Sequence, residues 1–218
     1  NDDVGFDVIP IAREGFIVSG YTESFGSGNE DGFVVNLDQE GNEVNSFSFG
    51  NSDRDIIVNS LILSDSTLMF VGRSESSGNG GSDAWVVHAN RNGNLLSEHF
   101  YGGSGNDRLN AIVENAEGNL AAIGNKSLED GSNDILLLEM DQTGELINEF
   151  TFGGNDYEYG KDLIPRAIGG YVLLGETRSY GAGGFDVWLM QLDSDGEIDW
   201  QTTIAGTFSD DYAKKILF

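Results

Sequence analysis

Four aspartates stand in one phase of this chain: Asp31, Asp83, Asp134 and Asp186, about 52 residues apart. Carboxylates repeated in this way can form a ring at one end of a repeated fold and hold Ca²⁺ or another hard cation through oxygen. The spacing also has a plainer account. An Asp that enters a strand after a Gly-rich loop accepts backbone N–H groups and fixes the turn. A residue that every repeat retains answers first to what every repeat needs. A second acidic set, Asp3, Asp55, Asp107, Glu158 and Asp210, sits in Gly/Asn-rich turns between units and divides between the same two accounts.

Other chemistry is sparser. Residues 193–199 resemble part of an EF-hand loop, but Gln191 and Thr202 stand where the full pattern needs Asp and Glu, so a hairpin turn is expected there. His88 and His99 have no partner spacing that suggests a metal pair or a nucleophile relay. Thirty-seven acidic residues always allow some carboxylate pair at the roughly 5–10 Å that glycoside hydrolysis needs, yet no one pair stands out. No catalytic residue is therefore assigned. Aromatic residues in loop positions are a better lead: Tyr157, Tyr159 and Tyr180, with Tyr21 and Phe25, could stack on sugar rings or could cover the core from above.

The elements that must position these residues come from a repeat. Gly20, Gly72, Gly124 and Gly175 each end an apolar run. Gly41, Gly93, Gly144 and Gly196 follow Asp38, Asn90, Asp141 and Asp193 by three residues. Gly50, Gly102, Gly153 and Ala205 form another column, and Ile9, Leu61, Val113, Ile164 and Ile216 a further one. The units are 3–54, 55–106, 107–157 and 158–209, with 210–218 beginning a fifth. In the first unit strands are expected at about 5–11, 16–22, 32–38 and 43–49. The third strand alternates, with Phe33, Val35 and Leu37 on one face and a partly polar face carrying Asn36, His88, Glu139 and Gln191 in the successive units. A four-stranded antiparallel sheet repeated about every 52 residues needs a neighbour on either face. That predicts an all-β fold, a β-propeller or propeller fragment of four full blades plus the first strand of a fifth repeat, in a single domain over 1–218.

Composition narrows the function. A formal charge of −26 argues against nucleic acid and anionic membrane surfaces, and no apolar run is long enough to span a bilayer. Without cysteine there is no disulfide framework, zinc–thiolate cluster or thiol chemistry. Thirty-one glycines against two prolines fit many tight turns. The chain opens Asn1-Asp2-Asp3, without Met or a basic, apolar leader, and reads as a processed or excised piece of something longer.

The runs GGYVLLGET (169–177), DVWLMQLD (186–193) and YGGSGND (101–107) resemble the propeller repeats of large exported bacterial and archaeal proteins. The resemblance covers essentially the whole chain. It departs in one column, where the expected Trp survives only as Trp200 and gives way to Asn45, Ser97 and Asn148. What the resemblance implies is a secreted or cell-surface propeller, with no quinone or other cofactor inferred and Ca²⁺ compatible with every reading. The expected function is a non-catalytic extracellular interaction module that contacts a polysaccharide or a protein through its blade loops. The alternatives are a structural subunit of a filament or surface layer, built from copies of itself, and a glycan-active enzyme.

Overall fold

The computed structural model describes residues 2–206 and 209–217; Phe218, part of the expected fifth unit, lies outside them. Among these residues the chain forms strands throughout, in four sheets. The first holds β1 (Asp3–Ile11), β2 (Gly15–Thr22), β3 (Asp31–Leu37) and β4 (Glu43–Phe49). The second holds β5 (Asp55–Ile62), β6 (Leu68–Ser74), β7 (Asp83–Ala89) and β8 (Leu95–Tyr101). The third holds β9 (Arg108–Glu114), β10 (Leu120–Ser127), β11 (Asn133–Met140) and β12 (Leu146–Phe152). The fourth holds β13 (Glu158–Pro165), β14 (Tyr171–Thr177), β15 (Asp186–Leu192) and β16 (Ile198–Ile204). Each sheet is an antiparallel meander in chain order, consistent with four propeller blades, numbered here 1 to 4.

Two turn devices repeat in every blade. Between the third and fourth strands, Asp38 Oδ1 accepts the N–H groups of Glu40 and Asn42, and Asn90, Asp141 and Asp193 do the same in their blades. The glycine that follows takes a left-handed φ of 80–87°, which explains its column. Asp193 thus makes a hairpin turn. In each first strand, the residue Phe6, Val58, Asn110 or Lys161 bulges out of register. The bulge lies opposite Gly20, Gly72, Gly124 and Gly175. A backbone carbonyl there sits 1.8 Å from where a Cβ on Gly20, Gly72 or Gly124 would be.

The core lies between blades. One cluster joins Ile17, Val34 and Phe49 to Ile57, Phe70 and Trp85 across blades 1 and 2. Similar clusters join blades 2 and 3 and blades 3 and 4. Each fully buried Leu, Ile or Phe contributes about 1.5–3 kcal/mol relative to exposure. The half-polar face expected of the third strands needs correction. Val34, Val86 and Leu137 are buried on that face, and Asn36 and His88 are buried with them, because that face packs against the next blade.

His88 is buried in blade 2 on the face packed against blade 3. Its Nε2 lies 2.8 Å from Thr67 Oγ1, whose own proton goes to Asp65 Oδ1, so Nε2 carries the hydrogen. Ser97 Oγ lies 3.4 Å from His88 Nδ1 and donates its proton to Thr143 O at 2.5 Å. Burial holds the imidazole below its ordinary 6.5, against the opposing charges of Asp65 and Asp141. The unfolded chain therefore takes up a proton first, and His88 removes stability as pH falls below about 6.5. Wild type is expected to lose more melting temperature than His88→Gln between pH 7.5 and 5.5; parallel pH profiles would refute this.

Among the described residues, the stretch expected to begin a fifth repeat is not paired as a strand. Residues 210–217 run along blade 4 without strand pairing, since no second strand lies beside them among the described residues. They keep the contacts of a first strand. Asp211 N–H donates to Phe185 O at 2.6 Å, as Asp55 does to Glu30 and Asp107 to Ser82 at 2.7 Å. Ile216 N–H donates to Asp162 Oδ2, as Ser60 does to Asp7 and Ile112 to Asn59. Asp211, not Asp210, is therefore the fifth member of the second acidic set, and Ile216 stands with Ser60 and Ile112 rather than with Leu61 and Val113.

Candidate functional site

Three groups of polar residues are candidates: the acidic columns, a cleft containing two arginines and a cavity around Tyr171. The two acidic columns, separate in the sequence, meet at the blade junctions. At Gly50, the point where a Cβ would lie is 2.6 Å from Asp55 Oδ2 and 2.8 Å from Asp31 Oδ1. At Gly153 the corresponding distances are 1.8 Å to Asp134 Oδ1 and 2.8 Å to Glu158 Oε2. A carboxylate opening the third strand of one blade thus faces one opening the first strand of the next. Turn amides hold them: Ser27 and Gly28 N–H donate to Asp31, Asn51 N–H to Asp55, Asn79 N–H to Asp83, Gly103 N–H to Asp107, Gly154 N–H to Glu158 and Ala182 N–H to Asp186. Burial, and then the charge across the junction, pushes Asp83 and Asp134 above the usual carboxylate range. Asp31, Asp83 and Asp186 each fix a turn. No group of three or more His, Cys, Asp or Glu suited to a metal occurs among the described residues.

The second group lines a cleft of about 330 Å³ at the start of β9, which Arg73, Asn106, Arg108, Asn125, Asn133 and Tyr159 help to form. Arg108 Nε donates to Asn125 Oδ1 at 2.7 Å, and its guanidinium lies 5.7 Å from the Tyr159 ring centroid. Burial first, and then the charge of Arg73, holds this guanidinium below its ordinary value. Both arginines stand apart from the ion pairs of the described residues, although carboxylates outnumber cations thirty-seven to eleven. Neither stands out in the sequence. Their columns vary, with Tyr21, Arg73, Asn125 and Glu176 in one and Val4, Ile56, Arg108 and Tyr159 in the other, so a search for sameness passes over them.

Of the tyrosines singled out as ligand contacts, Tyr157 and Tyr159 come together, stacked at 6.5 Å. Tyr159 is enclosed: Phe185 tilts against it at 5.5 Å, and Lys161 Nζ lies 5.5 Å from its centroid. Tyr180 belongs elsewhere, packed on Trp188 at 5.0 Å with its hydroxyl donating to Gly153 O. The three do not make one platform. In the third group, a cavity of about 480 Å³ lies beside Asn115, Glu117, Glu139, Arg166, Ile168 and Tyr171. Tyr171 donates to Glu139 Oε1 at 2.9 Å and accepts from Asn115 Nδ2, while Arg166 is engaged by Leu192 O and Asp199.

The fold and these sites define an all-β protein of propeller-like repeats. No family model and no curated protein matches the chain. Among solved structures, a protein of unknown function from Bacteroides caccae is similar, with 11% identity over 92% of this chain and 81% of that one and a TM-score of 0.33.

Proposed function

We propose that the protein is a non-catalytic interaction module, secreted or displayed at a cell surface, that binds a polysaccharide. The observation that carries this reading is the Arg73–Arg108 cleft. The amides of Asn106, Asn125 and Asn133 and two guanidinium groups line it, together with Asp107, and groups of these kinds bind the hydroxyl and acidic groups of sugars. The strands that carry it are well buried, in keeping with a site that needs little ordering on binding. The extracellular placement rests on the repeat resemblance. A glycan array probed with the folded chain should give saturable signal, and Arg73→Ala should weaken it at least tenfold without changing the melting temperature by more than a few degrees. A blank array on folded protein would sink the polysaccharide reading and leave a protein partner.

A second reading, a structural subunit that associates end to end with copies of itself, is favoured by the two outer blade faces. Val8 on blade 1 is 59% exposed, and Ile204 on blade 4 is 62% exposed, although the corresponding faces of the inner blades are packed. A concentration-dependent rise in mass by sedimentation would favour this reading; a monomer at all concentrations would remove it.

A further inference from the structure

The blade junctions carry an electrostatic problem that the fold does not resolve by itself. Asp55 and Asp107 are fully buried, Asp31 is 2% exposed and Asp83 is 3% exposed. None of these carboxylates, nor Asp134, Glu158, Asp186 or Asp211, forms an ion pair with a described residue. Turn amides satisfy some of their oxygens. Asp55 Oδ1, Asp134 Oδ1 and Asp186 Oδ1 are buried without any hydrogen-bond partner. Asp134 Oδ1 is also the oxygen that faces Glu158 across Gly153. Like charges placed together out of water are costly unless something positive joins them. A side chain at Gly50 or Gly153 would fill the space between the paired oxygens, which gives this glycine column a second reason to lack a Cβ.

We propose that the blade junctions are cation sites, at which a hard divalent ion, Ca²⁺ by the all-oxygen chemistry of its donors, bridges the carboxylate of one blade to that of the next. The pairs are Asp31 with Asp55, Asp83 with Asp107, Asp134 with Glu158 and, by the same repeat position, Asp186 with Asp211. Ca²⁺ takes about six to eight oxygens, so two carboxylates leave several positions to water and neutral oxygens. The modest acidic complement sets an expected dissociation constant on the order of 0.1–1 mM, the range of extracellular modules. The ion would tie neighbouring blades together at their rim. Asp107 also lines the sugar-binding cleft, whereas no residue of the Asp31–Asp55, Asp134–Glu158 or Asp186–Asp211 pairs does, so those three junctions carry the inference independently of the sugar-binding reading.

The test uses the chain stripped with chelator and titrated with CaCl₂ at constant ionic strength, followed by thermal unfolding and native mass spectrometry. The expected result is a saturable rise in melting temperature of roughly 5 °C or more, with calcium adducts that chelator removes. Asp55→Asn keeps the acceptor for Asn51 N–H and should reduce the number of bound ions by one. If that variant does not fold, Asp83→Asn tests a second junction in the same way. An identical rise with KCl would overturn the proposal as charge screening. No thermal response to calcium, or unchanged stoichiometry in the folded variants, would overturn it too. A calcium-insensitive protein that gains stability on acidification to pH 5 would hold a shared proton at the junctions instead.

Discussion

Gly72→Ala is expected to lower stability by about 3 kcal/mol, the upper part of the range for inserting an atom into a packed interior. The methyl group would lie 1.8 Å from Ile56 O, 2.9 Å from Ile56 C and 3.1 Å from Ile57 Cα, all backbone atoms. Side-chain repacking gives no relief. The carbonyl is that of Ile56, paired with Arg73 just before the bulge in β5, so moving it means breaking the ladder between β5 and β6. Gly41→Ala is the informative control. That residue has φ of +84°, and an added methyl would meet nothing within 4 Å, so only the left-handed conformation is penalised, by about 1 kcal/mol. Chemical denaturation of both variants should separate them by about 2 kcal/mol. Equal losses would mean that the Gly72 column serves turn conformation and not carbonyl approach.

This pair also shows how far the sequence could be read. The columns of Gly20, Gly41 and their counterparts are visible as spacing, and spacing is enough to place the strands and turns of each blade. The cause of the Gly20 column is not visible, because the bulge that brings a carbonyl over Gly72 leaves no signature of its own: Phe6, Val58, Asn110 and Lys161 share no chemistry. Likewise, each acidic column can be found alone. Their meeting across Gly50 and Gly153 depends on how one blade sits against the next, which no local pattern specifies. Adjacent acids hide a one-residue offset, since Asp210 and Asp211 serve a spacing argument equally and only the bond to Phe185 O distinguishes them. The cleft is harder still. Arg73 and Arg108 matter because their repeats differ from the others, and the repeat is recognised by what does not differ.

The other large effect lies where blades 1 and 2 meet. Trp85 is 1% exposed, its Nε1 donates to Glu98 Oε1 at 2.8 Å, and its ring presses on blade 1 at Gly32. Trp85→Ala should cost about 3–5 kcal/mol, from lost burial and from the cavity left between two sheets that cannot collapse independently. The third blade shows a smaller solution to the same contact: Leu136 stands in the Trp85 column, and Ala84 of blade 2 shares its cluster. At the first junction a glycine thus makes room for the tryptophan, whereas at the third Ile135 of the Gly32 column shares a cluster with Trp188, so each junction packs its own pair. A Cβ on Gly32 would lie 2.9 Å from both Trp85 Cζ3 and Ile57 Cγ1. Gly32→Ala alone should therefore destabilise by about 1–3 kcal/mol through overpacking. In a Trp85→Leu background the same substitution should cost about 1 kcal/mol less, because the indole it strikes is gone and only Ile57 must yield. Denaturant midpoints of the four proteins give the coupling directly. Additive losses would mean that Ile57 alone sets the space at Gly32, and that the match between facing residues does not govern how neighbouring blades pair.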